Sequence, residues 1–559
     1  MNLFPMAIVG FSVGLAVALD VAVVYLLRRR RRSAGDGASS EARGGLPTHS
    51  QLRKLIAPFV APIPEPMSAS PSRSLTAGAR GPIIPSLIGY LRIEILPFRL
   101  QRERLAVALG GLAVSTGIGL AYSRTTVVRG WQLWVWAAAV AVTCVALLPP
   151  RWQGAPRRPP WRWLLGLLLA GLLLRITFLE TVPGWLHPDE AMLADYTVLH
   201  ILPSPGITVN PFATGLAAQP TLHSYLVSSA LRALGHSITA LRIPSVVAGS
   251  LAILAAYAAI AAIDSRRIAI LAATVMTTYH FHIHWSRLAL NNIWDTLWVP
   301  LLLAMFAWGW KTKWSGGAVL AGLALGLSHY FHSGSPVAWF LLAILILQLW
   351  RQSPDRRRLG VHLGKLAATA ACTLAPLALF ALFNPEAFFS RIPFVLGWNA
   401  EAVRQVTGSA NGWWEYLVHQ ATRSFGAYIA YTDVSGFYDP GVPFLFGVSA
   451  LTFLAGAVWA LKTRRWLPLA WVTLAALLGG FVLRGAPSSP NFVVSIPGVA
   501  WLIALPLDGL ISRGRWRLAL AVLAAIIVSD LVFYFGVYAL HGAPSLIFPF
   551  PNGQSQGGL

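Results

Sequence analysis

A chain of 559 residues in which 56% are hydrophobic and 11% charged is not a soluble globular protein, which would carry roughly 25% charged residues. Its formal charge of +23 gathers in short loops between apolar blocks, a pattern that orients a polytopic protein against anionic membrane lipids and speaks against nucleic acid as a partner. Both cysteines, Cys144 and Cys372, fall inside apolar runs, which leaves no disulfide framework and no thiolate metal site.

Crossing about 30 Å of hydrocarbon takes about 20 helical residues. On that basis the apolar blocks predict an all-α polytopic membrane protein with about 14 spans, at roughly 6–27, 103–122, 130–148, 161–178, 241–262, 267–284, 293–310, 316–331, 334–350, 362–383, 441–461, 467–483, 492–510 and 517–537. The first has no basic stretch before it and is followed by Arg28 to Arg32, so residues 1–32 read as an anchor stopped on the cytoplasmic side. Residues 33–80, rich in Ser, Pro, Gly and Ala, read as a flexible cytoplasmic linker. An accessory membrane segment over 81–160 holds about two spans; its interrupted stretch 81–98 suits an interfacial or re-entrant element as well as a further span. A core at 161–540 and a short extracytoplasmic tail at 541–559 complete the chain.

Alternating the spans places Arg151, Arg157, Arg158, Arg266, Arg267, Lys311, Lys313, Arg351, Arg356, Arg357, Arg358, Lys462, Arg464, Arg465, Arg513 and Arg515 on one side, which should be cytoplasmic. The long loops 179–240 and 384–440 then face outward, the first with short interfacial helices. No Walker or dinucleotide glycine fingerprint occurs, which argues against ATP hydrolysis or nicotinamide chemistry.

Polar groups at the outer ends of spans carry the functional signal, because burying them is costly without a partner or a role. The stretch His187-Pro-Asp189-Glu190 sets two carboxylates on different faces of a helix start; one suits proton acceptance from a hydroxyl, the other orientation of a loop. It equally suits a proline-started surface helix with acids in its first turn. In His280-Phe-His282-Ile-His284-Trp-Ser-Arg287, followed by Asn291, Asn292 and Asp295, a helical hairpin would pair Arg287 with Asp295. The three histidines read as boundary residues rather than a metal site. His329 and His332, three apart, could line a cleft or cap a span. Tyr431 and Asp433, in the second outer loop, suit sugar stacking and hydroxyl recognition, or an ordinary folded loop.

From residue 161 to about 540 the order of these stretches resembles the GT-C membrane glycosyltransferases, in particular glycosyltransferase family 39, with the protein O-mannosyltransferases and the lipid A aminoarabinose transferase. The carrying motifs are Pro188-Asp189-Glu190, the stretch Gly215 to Leu222, Leu241-Arg242-Ile-Pro244-Ser245, HWSRLALNN at 284–292 with Asp295, HYFHSG at 329–334 and NPEAFFSR at 384–391. The resemblance implies a GT-C fold and transfer of a sugar from a polyprenyl-phosphate donor to an extracytoplasmic lipid, protein or envelope glycan, with inversion, in the plasma (inner) membrane. It assigns catalysis to Asp189 supported by Glu190, and the donor phosphate to Arg287 and, less strongly, Arg391, with Gln219 at the matching donor-side position; by their own chemistry and placement, His187, His329, His332, Tyr431 and Asp433 are the candidates for acceptor or sugar contacts. Relatives carry a lysine where this chain has Gln219, so the donor must lean on other groups. No cofactor is assigned with certainty; a divalent metal is left open, without a definite ligand set in the sequence. The N-terminal spans suit docking of a protein partner. Two other classes compete: a noncatalytic scaffold subunit and, less well supported, a secondary transporter, which should show discontinuous spans near the midplane.

Overall fold

The computed structural model describes residues 84–539, apart from 124, 126, 150–158, 185, 203–206, 333–335, 353–354 and 439, with side chains described from residue 102. The predicted anchor at 6–27, the linker and the tail lie outside the described residues. What is described is helical almost throughout: α1 Ile84–Tyr122, α2 Gly130–Leu147, α3 Trp161–Ile176, α4 Pro188–Tyr196, α5 Leu222–Leu234, α6 Ile238–Ile263, α7 Arg266–Thr278, α8 His280–Ser286, α9 Asp295–Lys311, α10 Gly316–Ser328, α11 Val337–Gln352 and α12 Arg356–Phe383. The loop 384–440 contributes α13 Pro385–Phe389, α14 Ile392–Val395, α15 Ala400–Thr407 and α16 Trp413–Gly426, before α17 Gly447–Lys462, α18 Trp466–Ala476, α19 Ile496–Ser512 and α20 Trp516–Leu531.

Seven helices among the described residues are long and apolar enough to cross a membrane, and four more are apolar but shorter. The chain is a multi-pass membrane protein, although this is not the full set of 14 predicted spans. One reason is local: the span expected at 267–284 is broken at Tyr279, whose extended backbone (φ −60°, ψ 116°) separates α7 from α8. The stretch 81–98, expected either as an interfacial or re-entrant element or as a further span, is helical from Ile84 and runs on into α1.

The bundle is built around α6, α7, α9, α10 and α19, with α1 and α2 packed beside α12. A short antiparallel pair, β1 (Val127–Arg129) and β2 (Ile207–Val209), ties the α1–α2 turn to the loop 179–240. Asn210 reinforces this tie, its Nδ2 donating to Tyr122 O at 3.0 Å and Thr125 O at 2.9 Å. The accessory segment is therefore stitched to the end of the core that carries the loop 179–240. Helices approach closely where small residues allow it: at Gly249 a Cβ would collide with Ser286 Oγ, so glycine there lets α6 seat α8.

Candidate active site

Helix α4 starts as its sequence dictates. Pro188 supplies a preset φ at the first helical position, where its missing N–H costs nothing. His187 caps the helix, its Nδ1 accepting from Asp189 N at 3.0 Å while Glu190 Oε2 accepts from His187 N at 3.2 Å. This is a capping box with histidine in the usual serine place.

The two adjacent acids then part company. Glu190 is fully buried and accepts from both Nε and Nη2 of Arg242 at 3.0 Å, and from Ala289 N at 2.6 Å. Arg242 Nη1 in turn donates to Leu179 O at 2.9 Å and Pro183 O at 3.4 Å. A buried bidentate pair with every remaining group satisfied locks α4, α6 and the loop before α4 into one unit. Asp189, one residue earlier, is exposed, and its carboxylate makes no hydrogen bond among the described residues.

Arg391 lies close enough to Asp189 to feel its charge: burial pulls the guanidinium below its ordinary pKa, and Asp189 pushes it back up. The turn Leu216–Ala218, just before Gln219, packs against both α4 and α13, so Asp189, Gln219 and Arg391 belong to three segments that converge. Gln219 is half-buried, and its Oε1 has no hydrogen-bond partner among the described residues. His187 stacks on Phe437 with centroids 4.0 Å apart. Burial lowers the His187 pKa, opposed by the charges of Asp189, Glu190 and Asp433, and the neutral imidazole is the form that can accept from Asp189 N.

Other expected site residues have different partners. All five N–H groups of Arg287 donate to backbone carbonyls: Val182, Leu174, Arg175, Thr177 and Phe178, at 2.7–3.1 Å. Arg287 therefore caps the carboxyl end of α3, where a cation is favoured, and keeps no donor for a phosphate. Its expected pairing with Asp295 is also replaced: His332 Nδ1 donates to Asp295 Oδ2 at 2.6 Å, and Asn292 Nδ2 donates to His332 Nε2 at 3.0 Å. His329 has both ring nitrogens engaged, Nδ1 with Leu325 O at 2.9 Å and Nε2 accepting from Trp339 at 3.0 Å. These contacts hold helix ends together and leave His329 and His332 little capacity for a sugar.

Asp433 accepts from the backbone N–H groups of Ser435, Tyr438 and Ser489 at 2.9–3.1 Å. It organises the loop that presents Phe437 to His187. Tyr431 carries the Arg423 guanidinium 5.4 Å from its ring centroid. The three histidines of α8 diverge: His280 Nδ1 meets Tyr438 Oη at 2.6 Å, His282 Nδ1 accepts from Arg175 at 2.7 Å, and His284 Nε2 donates to Phe437 O at 2.9 Å. No group of three metal-ligating side chains gathers among the described residues.

Two residues that matter escaped the sequence reading as site members. Arg242 and Arg175 are each at most 1% exposed, and each is an isolated charge in an apolar helix, which is itself a signal.

Residues 218–382 match the family model described as dolichyl-phosphate-mannose-protein mannosyltransferase, so the resemblance to these membrane glycosyltransferases is borne out over that stretch. Asp189 and Arg391 lie outside it, before and after the matched stretch. No curated protein matches the chain in sequence. Among solved structures, AglB, the oligosaccharyltransferase of Archaeoglobus fulgidus, in complex with an inhibitory peptide and a dolichol-phosphate, is similar at 17% identity and TM-score 0.45, over 69% of this chain and 56% of that one. ArnT from Cupriavidus metallidurans, bound to undecaprenyl phosphate, is similar at 15% identity and TM-score 0.42, over 66% and 64%. The protein O-mannosyltransferase complex of S. cerevisiae, bound to its sugar donor, follows at 15% and 0.32, over 41% and 34%. The chain thus spans little more than half the length of the archaeal enzyme it matches.

Proposed function

We propose that the protein transfers a sugar from a polyprenyl-phosphate donor to an acceptor on the extracytoplasmic side of the plasma membrane, with inversion at the anomeric carbon. The observation that carries this reading is the division of labour in α4: Glu190 is tied to Arg242, while Asp189 stands exposed within the influence of Arg391. A free carboxylate on a rigid base beside a cation suits acceptance of a hydroxyl proton and neutralisation of a departing phosphate. The description of the family matching residues 218–382 supports a lipid-phosphate sugar as donor.

In this mechanism the acceptor oxygen gives its proton to Asp189 as it attacks the anomeric carbon. The bond from that carbon to the phosphate oxygen breaks, and the electron pair leaves with the phosphate. Arg391 offsets the charge, and the Gln219 amide donates a neutral hydrogen bond in place of the lysine of relatives. The prenyl tail lies between helices at the outer leaflet.

The test is transfer of labelled sugar from synthetic polyprenyl phosphate by the purified protein. D189N should lower the rate about 10²- to 10⁴-fold at unchanged stability. Transfer by D189N at the wild-type rate would remove Asp189 from catalysis. A wild-type protein that neither binds nor turns over the donor would favour the noncatalytic scaffold.

A further inference from the structure

At the end of the bundle opposite Asp189, a cavity of about 320 Å³ is lined by Lys313, Ser315, Asp355, Arg357, Arg358 and His362, with Val361 at its edge. Three cations face one carboxylate there, and that carboxylate is already engaged, Asp355 Oδ1 accepting from Arg358 N at 3.0 Å to cap α12. The Arg358 guanidinium lies 4.2 Å over the Trp310 ring and donates to Trp310 O, yet its Nε is buried with no hydrogen-bond partner among the described residues. Lys313 and Arg357 are exposed. The next residue of the cluster, Arg356, stacks 3.9 Å over Trp350, the pairing of basic and aromatic groups found where spans meet lipid headgroups.

This basic cavity has an apolar neighbour. Lys365 Nζ donates to Ser315 Oγ and to Leu147 O, both at 2.8 Å, and so reaches from the cavity wall to the end of α2. It also lies within the electrostatic reach of Arg104. Arg104 and Glu103 stand at the head of a second groove of about 490 Å³ between α1 and α2, otherwise lined by Val107, Ala141, Val142, Val145 and Ala146. A cationic cavity neighbouring a mainly apolar groove whose Val107, Val142 and Val145 are exposed matches a molecule with a phosphate at one end and hydrocarbon at the other.

We propose that this is a binding site for an anionic, phosphate-bearing membrane lipid. The headgroup phosphate takes charge-assisted hydrogen bonds from Lys313, Arg357 and Arg358, and the chain lies along Val107, Val142 and Val145. The site is independent of the transferase reading, because none of its residues touches the Asp189 end.

The test is native mass spectrometry and ligand-dependent thermal shift on the delipidated full chain, with dioleoylphosphatidylglycerol, dioleoylphosphatidylcholine, undecaprenyl phosphate and inorganic phosphate as probes. Phosphatidylglycerol should bind the wild type and bind K313E/R357E at least tenfold more weakly, while R464E, a change elsewhere on the same face, leaves binding intact. Filling the groove with V107W/V145W should weaken lipid binding as well. K313Q/R357Q gives the same reading should the charge reversal fail to fold. Undecaprenyl phosphate binding with the same dependence on Lys313 and Arg357 would support the site and name its lipid. Equal binding of phosphatidylglycerol by wild type and K313E/R357E, equal retention of phosphatidylcholine, or inorganic phosphate binding as tightly as lipid would each overturn it.

Discussion

Asp189 and Glu190 are neighbours with opposite environments, and substituting each should separate chemistry from folding. Glu190→Gln leaves the Arg242 charge buried without its counter-ion, which costs about 3–5 kcal/mol and should appear as a large drop in the unfolding transition in detergent. Asp189→Asn touches no hydrogen bond among the described residues and should stay within about 0.5 kcal/mol of wild type. The two basic residues expected at the donor phosphate divide in the same way. Arg391→Ala should weaken donor binding roughly 10- to 150-fold, the worth of a hydrogen bond to a charged group. Arg287→Ala removes five bonds to carbonyls at the end of α3 and should destabilise by at least about 2 kcal/mol. A donor titration on any folded fraction of that variant should find affinity near wild type. The position and chemistry of the carboxylate pair were legible in the sequence. Which of the two is free was not, because the partner that binds Glu190 comes from α6, 52 residues on.

At the scale of elements, α4 depends on a cap that works only when His187 is neutral. Burial lowers its folded pKa below the unfolded value of about 6.5, so the unfolded chain takes up the proton first. The stability from this cap is therefore present in full above about pH 6.5 and declines as pH falls from there toward the lower folded value. His187→Asn should keep a cap while removing that pH dependence, as read from unfolding midpoints between pH 5 and 8. The sequence pointed to a proline-started helix at this place, and α4 is that helix. It also pointed to a pairing of Arg287 with Asp295 that did not form. Spacing along the chain shows that a hairpin would bring two residues near each other, but not that α3 ends beside Arg287 with its carbonyls unsatisfied, nor that His332 arrives from the turn after α10 to take Asp295.

For the whole molecule, the two ends of the bundle differ in character. Asp189, Asp295 and Arg391 stand at one end; Lys313, Arg357 and the ion pairs Arg267–Asp508 and Arg465–Asp264 stand at the other. Cysteine labelling in sealed vesicles checks the proposed orientation: S409C, in the second outer loop, should react with an impermeant reagent from the extracytoplasmic side and R464C only from the opposite one. The native Cys144 and Cys372 are buried and should give little background. The sequence by itself determined the membrane class, the all-helical fold and the order of motifs along it, because these follow from hydrophobic burial and from helical satisfaction of the backbone in lipid. The tertiary structure decided the rest: which charges are spent on holding helices together and which remain free. A buried charge is defined by partners distant in sequence, and only the packed bundle brings those partners within hydrogen-bonding distance.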